Sequence, residues 1–324
     1  MLTKLRATRE IGVVYLLRSG NAEPLRPFLS FIKSYNQFTA GFEHTLYVVC
    51  KGFIGRNDIS IIHDILKDIR HELLFVDDEL LDLGAYYAAM QLCNPEIVLF
   101  LNTNSRILGD MWLEKYLTNL DRDGIGVVGS SGSFESASHG GLDNIPFPNP
   151  HLRTNAFMLS RELFLKIRPE GALTDKLSTY LFEHHRASLT RRVVSEGYDV
   201  LVVGRNGRGY AVNEWASSGT FRSHNQSNLL IGDNRTKQFY DAAPPEKRRL
   251  FQLAWGGASV GRVELKQVED VSTLDFINMS YHIIIGRAPT MQERSEAQQL
   301  IDQFETNGRI KLVNKLSKSE LLCL

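Results

Sequence analysis

Glu96–Arg106 reads EIVLFLNTNSR, and the fold turns on how this stretch is understood. Ile97 to Leu101 is an unbroken apolar run of five residues, with Asn94-Pro95 before it and a polar cluster after it. The run is too short for a helix, and without alternation it has no solvent face. It predicts a central parallel strand covered on both sides. Asn102, Thr103, Asn104, Ser105 and Arg106 follow at its carboxyl end, where open α/β sheets place their ligands. Asp110 is positioned to cap a helix over Met111–Asn119. The same polar residues would also serve a plain turn.

Working outward, the chain alternates strand and helix. Ile11–Leu17 is a buried strand leaving through Arg18-Ser19-Gly20-Asn21, and a helix carries Leu25, Phe28, Leu29 and Ile32. Thr45–Cys50 is a second strand, Asp58–Ile69 a helix, and Glu72–Val76 a third strand. An alanine-rich helix opens at Leu83-Gly84-Ala85, before the quoted strand, and Ile125–Gly129 is a further strand. This alternation implies a doubly wound parallel sheet. Gly140–Pro150 is a loop, Leu152–Leu159 a strand, Arg161–Ile167 and Ser188–Glu196 helices, and Tyr198–Val203 the last strand of the series. Residues 205–236 are dense in Gly, Asn, Arg, Ser and aromatics, which suits a functional loop. Gly256–Ser259 marks a linker, and helices alone follow from Ser272, broken at Gly286, Pro289 and Asn307-Gly308. Two domains are expected, residues 1–258 and 259–324.

Composition narrows the function. The chain has 324 residues, with 37 basic and 37 acidic side chains, so no net field favours nucleic acid or an acidic membrane. Cys50, Cys93 and Cys323 have no metal-ligand spacing and suit a reducing compartment. No apolar run approaches the roughly 20 residues of a membrane span, and Ile11–Leu17 lacks the features of a signal peptide. A cytoplasmic protein that is not integral to a membrane is expected.

Four segments, VVYLLRSGN, Asp82–Asn104, DMWLEKYLTNL with GIGVVGSSGS, and Phe182–Gly204, together resemble the nucleotide-sugar glycosyltransferases of the GT-A fold, nearest the family 2 type. The resemblance spans about residues 10–240. It implies an α/β fold with a Rossmann-like, mostly parallel sheet and helices on both faces. It also implies a nucleotide-sugar donor and a glycan, lipid-linked glycan or protein acceptor. Two positions depart from the family. Cys50 stands where it usually has a base-recognising aspartate, and Asn102-Thr103-Asn104 replaces its Asp-x-Asp motif. Hard divalent cations favour charged oxygen ligands, so transfer without a divalent metal is expected. A non-catalytic glycan- or nucleotide-binding module on the same scaffold is the alternative. The C-terminal helices resemble a small helical bacterial domain through Tyr281, Gly286-Arg287, Pro289 and Ser319-Glu320, which implies association, such as homo-oligomerisation.

The resemblance and the residue chemistry nominate a site. Glu183 falls about where the family carries its catalytic base, with His184 and His185 as second candidates, since imidazole titrates near neutrality. Donor-binding candidates are Arg18, Asp82, Gly84, Asn102 and Asn104 at strand ends and a helix start. Trp215, Arg222, Gln226 and Asn234 in the long segment join them, with Phe221 as a second stacking ring. Arginine suits phosphate oxygens. Asp77-Asp78 is an alternative metal pair if the third strand has already ended there.

Overall fold

The computed structural model describes residues 9–20, 23–53, 59–136, 145–171, 173–174, 176–256, 272–285, 287–304 and 307–320. Twelve strands occur among them. These are β1 (Ile11–Arg18), β2 (Thr45–Lys51), β3 (His71–Val76), β4 (Ile97–Leu101), β5 (Arg106–Ile107) and β6 (Ile125–Gly129), then β7 (Gly132–Ser133), β8 (His151–Leu152), β9 (Ala156–Ser160), β10 (Asp199–Val203), β11 (Gly209–Tyr210) and β12 (Ile231–Gly232). Eight form one sheet in the order β11-β10-β6-β9-β4-β1-β2-β3, while β12 pairs with β5 and β7 with β8.

β4 lies inside this sheet, between parallel β1 and antiparallel β9, and all five of its residues are buried. Alternate side chains of a strand face opposite ways. Val98 and Phe100 therefore enter one apolar layer with Val14 and Leu16, while Ile97, Leu99 and Leu101 enter the other with Val13, Tyr15 and Leu17. Helices Leu25–Gln37, Ile59–Leu66 and Trp112–Leu120 cover the second layer. Asp82–Leu92, Arg161–Lys166 and Leu189–Ser195 cover the first. The fold is α/β, with helices on both faces of a mostly parallel sheet.

The sheet departs from a purely parallel one at β9 and β11, which run antiparallel to their neighbours. A parallel connection needs a crossover, usually a helix. Among the described residues β6 reaches β9 through the β7–β8 ribbon, with no helix between them, so the chain comes back the other way. Asp110 does not cap the next helix. Its carboxylate accepts from Thr39 N and Oγ1 at 2.9 and 3.2 Å, and the cap position is Met111, held in the left-handed region at φ 55°. The expected helix start at Asp58, the loop over residues 140–144, Gly286 and Cys323 lie outside the described residues.

The tail is helical as expected, over Thr273–Ile284, Met291–Gln303 and Gly308–Glu320. Thr290 caps the middle helix in a capping box with Glu293, and Arg287 grips Glu293 through two bonds of 2.8 and 2.7 Å. Arg287 thus closes the turn between helices. Phe276, Ile277, Tyr281 and Ile284 join the same apolar layer as Val14, so the helices pack on the sheet domain. Of the expected linker only Gly256, which ends helix Pro244–Trp255, is described, so the boundary near residue 258 lies outside the described residues.

Residues 205–236 are a packed wall. Trp215 is fully buried, donates from Nε1 to Tyr210 O at 3.0 Å, and lies flat against Gly132. A Cβ on Gly132 would stand 2.4 Å from Trp215 Cε3. Gly132→Ala should therefore destabilise the protein by about 1–3 kcal/mol through overpacking. Denaturant unfolding checks this, and an unchanged midpoint would mean that the wall yields freely.

Candidate functional site

A cleft of about 570 Å³ opens beside the carboxyl end of β4. Its lining includes Asn102 from the turn after β4, His151 from β8, Arg153, Thr154 and Asn155 from the β8–β9 connection, and Asp82 and Tyr86 from helix Asp82–Leu92. Helix Lys176–His184 supplies Glu183 and His184, and the wall supplies Phe221, Arg222 and Asp233 to Arg235.

The turn after β4 is rigid. Asn102 Oδ1 accepts from Asn104 N at 3.0 Å and Ser105 Oγ at 3.1 Å, and Asn102 N donates to Asn155 O at 3.1 Å. The buried Tyr15 hydroxyl donates to Thr103 O at 2.7 Å. The carbonyl oxygen of Asn102 is thus engaged in closing its own turn, and Asn104 is exposed outside the cleft. Two neutral amides in this geometry do not fit the divalent cation that the family's Asp-x-Asp motif would hold. Asp77-Asp78 does not replace it, because Lys51 Nζ donates to Asp78 Oδ1 at 2.6 Å and to its carbonyl at 2.5 Å.

The opposite wall hangs on one ion pair. Arg153 and Asp233, both buried, meet at 2.9 Å across 80 residues of sequence. Asp233 also caps helix Asn234–Asp241, accepting from Thr236 N at 2.8 Å. Burial alone would raise the Asp233 pKa, but Arg153 and the Thr236 bonds outweigh it and hold the carboxyl below its ordinary value. The Arg153 guanidinium lies 4.3 Å from the centre of the Phe221 ring and that of Arg222 4.8 Å from it. Arg222 pairs with Glu135 at 3.1 Å, yet among the described residues its buried Nε has no partner. Burial, with the like charges of Arg153 and Arg235, pulls the Arg222 pKa down against the opposing pull of Glu135.

Glu183 faces this arginine group. Its Oε2 accepts from Thr154 Oγ1 at 2.8 Å, and Oε1 lies 3.7 Å from His184 Nε2. His151 is buried, and its ring meets that of His184 edge-on at 4.4 Å. Burial and the neighbouring His184 keep His151 well below the ordinary histidine pKa. Asp82 lies near enough to Glu183 to feel its charge. Burial raises the Asp82 pKa, and Arg18, 3.5 Å away, opposes this.

Of the nominated residues, the structure brings Glu183, His184, Asp82, Asn102, Phe221, Arg222 and Asn234 into the cleft lining, with Arg18 behind Asp82. It does not bring in the others. His185 lies beyond the helix end with its ring near Tyr180, and Gly84 packs tightly against Leu173 O. Trp215 has no free face. Gln226 uses both ends of its amide, accepting from Arg222 N at 3.0 Å and donating to Thr236 O at 2.8 Å. Sequence reasoning missed His151, Arg153, Thr154, Asp233 and Glu135. HLRTN after Asn149-Pro150 carried the only local signal, a polar cluster before a strand. Sequence spacing also showed no metal-ligand set, yet His151, Glu183 and His184 present ligand atoms all within 4.8 Å of one another.

No family model matches the sequence, and no curated protein matches it. Solved structures do resemble it. A mannosyltransferase from Pyrobaculum calidifontis in complex with GDP-Man and Mn2+ is 8% identical, at a TM-score of 0.43 over 98% of this chain and 76% of that one. The 4-diphosphocytidyl-2C-methyl-D-erythritol synthase of Anaerococcus prevotii is 14% identical, at 0.40 over 60% and 88%. The inositol-1-phosphate CTP transferase of T. maritima is 11% identical, at 0.38 over 60% and 85%. At these values the likeness assigns no activity.

Asp233→Asn keeps an N-cap acceptor but strands the Arg153 charge, which should cost about 3–5 kcal/mol at neutral pH. A carboxyl held low in the folded state stabilises fully above its unfolded pKa and loses this as pH falls through the folded value. The stability gap between wild type and variant should therefore narrow on acidification. Denaturant titrations at neutral and acid pH read it, and a gap that does not change with pH would place the pair's contribution elsewhere.

Proposed function

We propose that the protein transfers a sugar from a nucleotide-sugar donor to a hydroxyl of a glycan, lipid-linked glycan or protein acceptor. The observation that carries this reading is the arrangement of charge in the cleft. Arg153 and Arg235 each stand close enough to Arg222 to repel its charge, and among the described residues Arg222 Nε has no acceptor. A diphosphate would relieve that repulsion and supply acceptor oxygens, for which the guanidinium fork is suited. Across the cleft, Glu183 is oriented by Thr154 at Oε2, with Oε1 3.7 Å from His184 Nε2.

In the reaction, Glu183 takes the proton of the acceptor hydroxyl. The acceptor oxygen bonds to the anomeric carbon as the bond from that carbon to the diphosphate oxygen breaks. The arginines meet the charge of the departing nucleoside diphosphate. Asn102 and Asn234 offer amide donors at the cleft edge. A binding module without turnover is the second reading, favoured by the Asn102 turn, whose carbonyl oxygen is already engaged.

Glu183→Gln should lower turnover about a hundredfold or more while donor affinity stays nearly unchanged, because only the proton acceptor is lost. Donor hydrolysis and transfer assays across nucleotide sugars, with calorimetric donor affinity, separate the two effects. Equal rates in both proteins would remove Glu183 from the reaction. The same turnover should survive a chelator, since the Asn102 turn is no cation site, and loss of turnover with rescue by manganese would contradict this.

A further inference from the structure

His151, Glu183 and His184 are a cluster that the transferase reading uses only in part. His151 Nδ1 lies 2.7 Å from Asn149 O. A carbonyl oxygen can only accept, so Nδ1 carries the hydrogen and Nε2 presents a lone pair. That Nε2 is buried and, among the described residues, has no partner; His151 is 1% exposed and lines the cleft. A buried acceptor left unmade costs about 1–3 kcal/mol, so the position calls for something to fill it. His184 Nδ1 is also buried without a partner among the described residues.

We propose that His151 Nε2, a ring nitrogen of His184 and a carboxylate oxygen of Glu183 form a binding site for one divalent transition-metal ion of the zinc class. Two imidazoles and one carboxylate favour zinc, cobalt or nickel over magnesium or calcium. Three protein ligands leave a fourth position open to the cleft. The supporting shell is present. Backbone carbonyl contact at the far ring nitrogen is how metal-bound histidines are commonly oriented, and Asn149 O provides it for His151. The Asn149 amide also donates to His184 O at 2.7 Å, holding the end of that helix beside the ring. Thr154 fixes the Glu183 carboxylate. Bonds near 2.1 Å in a tetrahedral site imply ligand atoms about 3.4 Å apart, so the cluster, spread within 4.8 Å, draws together on binding.

The site itself is independent of the transferase reading. One consequence rests on that reading, because a Glu183 oxygen bound to metal cannot accept the acceptor's proton. Metal loading then inhibits transfer without displacing the donor.

The test uses the full chain stripped of metal and titrated with Co2+, followed by visible absorption and competition with Zn2+. The expected result is one equivalent of Co2+ with the intense bands of a tetrahedral site, displaced by Zn2+. Thr154→Val should weaken binding about tenfold or more. His151→Ala should abolish the bands. Glu183→Gln, which preserves shape, should weaken binding even if His151→Ala unfolds. No saturable Co2+ spectrum, or one unchanged in both Thr154→Val and Glu183→Gln, overturns the site. Zn2+ added during turnover should stop transfer at unchanged donor affinity. Undiminished transfer with the site full, as read by displaced Co2+, overturns the inhibitory consequence. If no nucleotide sugar binds or reacts, the transferase reading fails and the Co2+ titration still decides the metal site.

Discussion

The Arg153–Asp233 pair is the constraint on which the cleft depends. Both charges are taken out of water, so each is tolerable only while the other stays in place. Arg153 belongs to the connection between β8 and β9, which runs into the middle of the sheet. Asp233 belongs to the far wall, where it starts helix Asn234–Asp241. Their contact fixes the width of the cleft and holds Phe221 under the Arg153 guanidinium. It also turns Asn234 and Arg235 toward the cleft. The remaining charges can then be arranged for a ligand because this pair satisfies itself.

Beside it the backbone is strained. Arg222, His224, Asn225 and Gln226 all have positive φ, between 46° and 54°. Each such residue that is not glycine costs about 1–2 kcal/mol. Gln226 offsets this by clasping Arg222 N and Thr236 O, and the buried Trp215 and Phe221 anchor the flanks. Strain of this kind persists where surrounding structure imposes it, and it clusters at functional sites. Here it points the Arg222 guanidinium into the cleft. The wall is therefore preorganised, and a lid that must first order over the donor is not needed to assemble the arginines.

The sheet was legible because burial on both faces leaves a direct trace, as in the runs Ile11–Leu17 and Ile97–Leu101. The reversal at β9 was not, since strand direction depends on how the chain returns and not on the composition of the strand. Glu183, Asp82 and Asn102 could be found because they sit beside recognisable element ends. Gln226 and Trp215 were misjudged on residue type, since an amide or an indole reads the same whether it faces a ligand or its own backbone. His151 and Arg153 stayed hidden because their partners, His184 and Asp233, lie 33 and 80 residues away, and no local period records such a contact.

By the proposed function, this cleft holds a nucleotide-sugar diphosphate between its arginines and Glu183. A crystal structure of the protein with a bound nucleotide sugar, chosen as the tightest binder of a panel by calorimetry, tests it most directly. Diphosphate oxygens are expected within hydrogen-bond distance of Arg222 Nε and the Arg235 guanidinium, with the sugar's anomeric carbon turned toward Glu183. A nucleotide seated instead in a different groove, one lined by Lys33, Arg106 and Lys237, would contradict this.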